Sequence, residues 1–273
     1  MVSNARLFLL TISAILLASL VTRAATVDTV SIINQKTDKD SRAIVILPES
    51  YGTIELPVVY LLHGWSGNYR NWFDHTDLST LTDQYQMIIV CPDGGYAGWY
   101  LDSPINKDSQ YESYIAFDVV DYIDKNYPTI ANGKGRALCG LSMGGQGALN
   151  LLAKYPDKFA AAGSMSGVME LESASKKYGI IQLLGDFEEY PERWKQNSCL
   201  YMVEKLVGKE KGIILECGVK DRYLAGNRKL HSRLLALNID HDYYERPGGH
   251  TWGYWVNALE YHLLYFHNFW KNQ

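Results

Sequence analysis

The chain has 273 residues, 47% of them hydrophobic, and a formal net charge of −4. That is enough apolar material for a full core in one domain. With no long run of like charge and no aromatic-basic stripe, nothing in it reads as a nucleic-acid footprint.

Residues 1–24 read as a secretory signal peptide. Leu7–Val21 is apolar apart from Thr and Ser, Arg6 precedes it, and Thr22-Arg23-Ala24 puts small residues at −3 and −1 of a cut after Ala24. About 15 apolar residues are short for a span, and no Cys lies near the cut to carry a lipid. The expectation is a secreted or periplasmic protein with no membrane span after cleavage and one mature domain over 25–273.

Val27–Ile33 and Arg42–Leu47 alternate around the polar stretch 37–40, a β-hairpin signal. Pro57–Leu62 is a continuous apolar run, as expected of a strand covered on both faces. It ends in His63-Gly64-Trp65-Ser66-Gly67. A helix-compatible segment at 69–85 precedes a second buried strand, Met87–Cys91. Residues 94–110 form a long loop bearing Tyr96, Trp99 and Tyr100, and loops of that length are usually functional or disordered. Helical spacing over Tyr114–Tyr127 stops at Pro128.

The stretch 134–149 then reads as strand, abrupt turn and helix, with the turn at Gly140-Leu141-Ser142-Met143-Gly144. A G-x-S-x-G in that context is the pattern of a nucleophile elbow. Phe159–Gly167 is a further strand, and 168–210 is a charged, partly helical insert expected to cover the sheet edge or the active site. Strands at Gly212–Cys217 and Asp242–Arg246 and helices at Asn227–Leu237 and Trp252–Trp270 complete the alternation, which argues for a parallel α/β sheet.

A serine hydroxyl needs an imidazole to take its proton and a carboxylate to hold that imidazole, here in the chain order Ser, acid, His. His250, in the loop before the last helix, fits the general base. His231, His262 and His267 fall on helices, and His241 is at the wrong end of the sheet. Asp221, just past the strand at 213–217, fits the acid better than Asp186, Asp240 or Asp242, and could also cap the following helix. The oxyanion donors are expected to be the backbone N–H of Met143 and of Trp65, with Ser66 as runner-up. His63 fits loop shaping better than catalysis. Trp99, Tyr100 and Trp252 are the aromatic candidates for holding substrate. Cys91, Cys139, Cys199 and Cys217 read as buried free thiols, and no Cys/His cluster has metal-site spacing, so neither metal nor other cofactor is expected.

These landmarks together resemble the esterase D branch of the α/β-hydrolase superfamily. The branch includes carbohydrate esterase family one (feruloyl and acetylxylan esterases), tributyrin-type esterases, S-formylglutathione hydrolases and bacterial mycolyltransferases. The matching segments are Tyr60–Asn68 with Trp72, Pro92-Asp93, Gly98-Trp99-Tyr100, Gly140–Gly145, Ser166-Gly167, Gly218–Asp221 and Gly249–Trp252. The resemblance implies an α/β-hydrolase fold, with a mostly parallel central sheet, helices on both faces and an N-terminal antiparallel hairpin. It implies Ser142, Asp221 and His250 as triad, with Trp65 and Met143 as oxyanion donors. The expected activity is that of a secreted serine carboxylesterase acting on feruloyl or acetyl esters of plant polysaccharide or its oligosaccharides. The alternatives are a short-chain acyl esterase, or an acyltransferase using the same triad.

Overall fold

The computed structural model describes residues 25–52, 54–174 and 177–272. The expected signal peptide at 1–24 lies outside them. Eight strands form one sheet: β1 (Thr26–Asn34), β2 (Lys39–Leu47), β3 (Val58–Leu62), β4 (Ile88–Pro92), β5 (Arg136–Leu141), β6 (Ala161–Met165), β7 (Gly212–Gly218) and β8 (Asp242–Arg246). Their order is β1-β2-β4-β3-β5-β6-β7-β8. β1, β2 and β4 pair antiparallel, and every other neighbouring pair is parallel. This is the α/β-hydrolase arrangement with its antiparallel hairpin.

The period-two geometry of a strand sends alternate side chains to opposite faces. In β3, Val58, Tyr60 and Leu62 enter one apolar cluster, and Val59 and Leu61 enter the other. The first face is covered by helices carrying Ile115, Val119, Leu149 and Leu152, the second by helices carrying Leu78, Leu81, Leu259 and Leu263. Burial on both sides is why β3, β4 and β5 read as unbroken runs rather than alternating ones.

Local chemistry shifts several expected boundaries. The segment expected as one helix at 69–85 is two, Asn71–His75 and Leu78–Tyr85. Asp77 interrupts it by taking the Thr80 N–H at 3.1 Å as an N-cap. The next helix begins earlier than its spacing suggests. It is α-helical at Tyr111–Ser113, π-helical at Tyr114–Val119 and α-helical again at Val120–Asn126. In the hairpin, Asp40 and Lys39 pair with Ile33 and Asn34, so the turn is 35–38, two residues earlier than the expected 37–40.

The insert 168–210 carries short helices at Ile180–Leu184, Pro191–Lys195 and Cys199–Met202. It is tied down by the Cys199 N–H to Gln146 Oε1 (3.1 Å) and by the Ser103 hydroxyl to Leu183 O (2.7 Å). No helix among the described residues is long and apolar enough to cross a membrane.

Candidate active site

β5 runs into Ser142, and the helix Met143–Lys154 starts one residue later. Ser142 sits at φ +52°, ψ −113°, a strained conformation for a residue with a side chain. Its N–H donates to Met165 O at 2.9 Å, and its carbonyl accepts the Gln146 N–H at 3.1 Å. So sharp a turn needs bare backbone on both sides. A Cβ on Gly140 would lie 2.5 Å from the Gly144 carbonyl carbon, and one on Gly144 would strike Leu62 O and His63 O.

The strained turn holds the Ser142 hydroxyl 3.0 Å from His250 Nε2. His250 Nδ1 lies 2.9 Å from Asp221 Oδ2 and 3.2 Å from Oδ1. β7 and β8 bring these two together, because they end side by side with Gly218 opposite Arg246. Beyond the strands, the Val219 N–H donates to Arg246 O (2.9 Å) and the Lys220 N–H to Gly248 O (2.8 Å). Burial alone would raise the Asp221 carboxyl. Hydrogen bonds from His250 and the Tyr223 N–H overcome that and hold it below the usual carboxylate range. A carboxylate only accepts, so Nδ1 carries the proton and Nε2 is left to accept from the serine. Asp221 Oδ1 also takes the Tyr223 N–H at 2.9 Å, which closes a turn. It does not cap the following helix as expected, because that helix starts at Leu224 with Tyr223 at its N-cap and no side-chain cap bond.

On the other side of Ser142 stands the loop after β3. The Gly94 N–H can only donate, so His63 Nε2 accepts it (2.8 Å) and Nδ1–H donates to Gly64 O (2.8 Å). His63 is buried, and that burial lowers its pKa, so the ring is a neutral brace between two loops. Ser66, the runner-up oxyanion donor, has its N–H committed to Tyr96 O at 2.7 Å. The amides of Trp65 and Met143 have no such partner among the described residues.

The cleft above Ser142 has a volume of about 630 Å³. Of the aromatic residues expected to hold substrate, Trp99 and Trp252 line it and Tyr100 does not. Tyr100 is fully buried, its ring against Gly94 and Gly147 and its hydroxyl donating to His63 O at 3.0 Å. Trp99 and Tyr100 both have positive φ and both rings are buried in the core, but of the two Trp99 also borders the cleft. Trp252 stacks on His75 at 3.9 Å between centroids. Sequence reasoning missed Tyr178, Arg222, Tyr223 and Trp255, which also line the cleft. Tyr223 and Trp255 set their rings against the His250 imidazole, 5.2 and 4.8 Å between centroids. Their nearness to Asp221 and His250 in the chain was the available signal. Tyr178 had none, since it arrives from the insert, where its carbonyl accepts the Trp99 indole N–H at 2.9 Å.

The other candidate bases are engaged elsewhere. His231 Nδ1 is 2.7 Å from His241 Nε2, His262 is buried against Cys139, and His267 Nδ1 is 3.0 Å from Tyr85 O. Among the described residues no three His, Cys, Asp or Glu side chains are grouped to hold a metal ion. All four cysteines are free and buried. The arrangement of hydroxyl, imidazole, carboxylate and two unbonded amides suits nucleophilic attack on an acyl carbon.

The Esterase family model matches residues 34–266. Among curated proteins, Esterase Rv1288 of Mycobacterium tuberculosis (strain ATCC 25618 / H37Rv) is 33% identical over 237 residues, 76% of this chain and 52% of that protein. The chain thus spans about half the length of that relative. Acetyl esterase of Caldicellulosiruptor saccharolyticus is 27% identical over 222 residues, 76% of this chain and 83% of the relative. Among solved structures, a ferulic acid esterase superposes with a TM-score of 0.76 and 27% identity, over 89% of this chain and 97% of that one.

Proposed function

Since this chain belongs to the Esterase family, we propose that it is a secreted serine carboxylesterase, hydrolysing carboxylic esters through an acyl-enzyme on Ser142. His250 is the general base and Asp221 the residue that orients it. The observation supporting this is the continuous hydrogen-bond chain Ser142–His250–Asp221 facing two unbonded amides.

In the first half-reaction the Ser142 oxygen attacks the ester carbonyl carbon as its proton passes to His250 Nε2. The carbonyl π electrons move to oxygen, and the N–H groups of Trp65 and Met143 meet that oxyanion. Collapse expels the alcohol oxygen, which takes the proton from Nε2 and leaves an acyl-serine. Water then repeats the sequence, with its proton going to His250 and the carboxylic acid leaving. Asp221 stays ionised and keeps the imidazole in the required tautomer.

Ester substituents of polysaccharides, feruloyl or acetyl, are the proposed substrates. The wide cleft with Trp99, Tyr178 and Trp252 on its walls supports this reading, as does the likeness to a ferulic acid esterase and an acetyl esterase. Purified protein is expected to release nitrophenol from short-chain esters and to be labelled by a fluorophosphonate, and Ser142→Ala is expected to lose both. Full activity in that variant would sink the assignment. Profiling feruloyl, acetyl and butyryl esters, with and without an added sugar acceptor, ranks the acyl groups and separates hydrolysis from transfer. Amino-terminal sequencing of the exported protein is expected to begin at Ala25.

A further inference from the structure

We propose that the cleft recognises a carboxylate on the alcohol side of its ester, through Arg222 assisted by Lys177, so that its favoured alcohols are acidic saccharides of the uronic-acid class. The inference rests on the esterase reading and narrows its substrate.

Among the described residues lining the cleft, Arg222 carries the only permanent charge. Its guanidinium meets just the Tyr223 ring, 5.5 Å from the centroid. Neither Arg222 nor Lys177 has an ion-pair or side-chain hydrogen-bond partner among the described residues. Five other arginines, Arg70, Arg136, Arg228, Arg233 and Arg246, each hold a carboxylate, while Arg42 donates to Tyr69 Oη and Arg193 to Leu184 O. The two free cations share a recess of about 390 Å³ that opens off the cleft, with Tyr178, Arg222 and Tyr223 on the walls of both. Among the described residues lining the recess Glu172 is the one acid, set against two cations, and it accepts from Tyr201 Oη at 3.0 Å.

The side of the ester follows from the chemistry. His250 returns its proton to the departing alcohol oxygen, so the alcohol must lie on the imidazole side of Ser142. The acyl oxygen lies opposite, toward Trp65 and Met143. Tyr223 packs against the imidazole at 5.2 Å and Arg222 adjoins it in the chain, which puts the Arg222 end of the recess on the alcohol side, while its Tyr178 wall packs 5.1 Å from the Trp65 ring. An unpaired guanidinium there presents a planar fork that fits a carboxylate with two parallel hydrogen bonds.

The test compares 3-acetoxybenzoate with 3-acetoxybenzamide, which share the acetyl group and differ in the charge of the leaving phenol. With kcat/KM normalised to spontaneous hydrolysis, the wild type is expected to favour the carboxylate about three- to tenfold at low salt, the range of a partly exposed ion pair. The ratio should shrink toward one in about 0.5 M salt as screening sets in. Arg222→Gln is expected to bring the ratio near one, Lys177→Gln to lower it less, and Arg222→Glu to invert it. A wild-type ratio of one or below, or a ratio that survives Arg222→Gln in a variant with unchanged melting temperature, overturns the proposal while leaving the esterase reading intact. An Arg222-dependent preference for 4-nitrophenyl hemisuccinate over the butyrate, without one between the acetoxy esters, overturns the alcohol-side placement. Turnover of neither acetoxy ester removes the esterase reading and this inference with it.

Discussion

His63 accepts the Gly94 N–H on Nε2 at 2.8 Å, joining the loop after β3 to the loop after β4 beside the Ser142 hydroxyl. The ring itself lies outside the cleft lining. It sets the position of the Trp65 amide from behind. His63→Ala is therefore expected to lower kcat on a short-chain ester by about 10- to 100-fold with KM changed much less, since a displaced oxyanion donor is lost mainly in the transition state. Steady-state kinetics separates the two parameters, and an equal rise in KM alone would contradict this role.

Ser142, His250 and Asp221 are expected to act as a unit. Ser142→Ala should reduce kcat by at least about 10³-fold, and adding His250→Ala should reduce it no further, because the imidazole has no task once the hydroxyl is gone. Additive losses in the double variant would show that the two act separately.

Gly144 lies where a Cβ would strike the carbonyl oxygens of Leu62 and His63, both backbone atoms that cannot swing aside. Gly144→Ala is expected to destabilise by about 3 kcal/mol, or roughly 6–12 °C in Tm for a chain of this size. A melting curve within 2 °C of wild type, about 1 kcal/mol or less, would refute it.

His262 is wholly buried beside Cys139, and its Nε2 is 3.9 Å from Glu216 Oε2. Burial, reinforced by the Arg246 charge, pushes its pKa down to about 3. Below the unfolded value near 6.5 the unfolded chain binds a proton that the folded chain refuses, so this contribution is complete above that pH and falls away as pH drops toward 3. Between pH 7 and 5 the loss is about 2 kcal/mol. Urea titrations should show it in the wild type and show a flatter profile in His262→Gln.

Tyr100 and Trp99 are adjacent in sequence and both buried, but of the two Trp99 alone lines the cleft. Tyr100→Phe is expected to cost about 1 kcal/mol of stability, the worth of its bond to His63 O, with KM unchanged. Trp99→Ala should instead raise KM for aryl-bearing esters severalfold. A KM effect of Tyr100→Phe matching that of Trp99→Ala would return Tyr100 to the cleft.

The sheet and elbow were legible because they rest on short-range rules. Double-sided burial gives apolar runs, and a sharp turn before a helix demands Gly140 and Gly144. Asp221 and His250 were legible because neighbouring parallel strands deliver their ends to one edge. The fate of Tyr100 was not, since it depends on two successive positive φ values that no residue type announces. The same holds for the π-helical turn at Tyr114–Val119 and for Tyr178, which reaches the cleft by long-range packing of the insert. The break at Asp77 was available in the sequence, as an Asp preceding a Thr three residues on.

The four cysteines bear on how the molecule can be studied. Each is buried and unpaired, and burial raises every one of their pKa values, that of Cys217 to about 12. The sequence holds no others. Maleimides and other alkylating dyes therefore meet no accessible thiolate on the native surface. A single cysteine placed at Tyr96, which is 63% exposed and packs on the cleft residue Trp65, would be the one labelled position. A fluorophore there would report on ligands entering beside Ser142 without any native thiol having to be removed first.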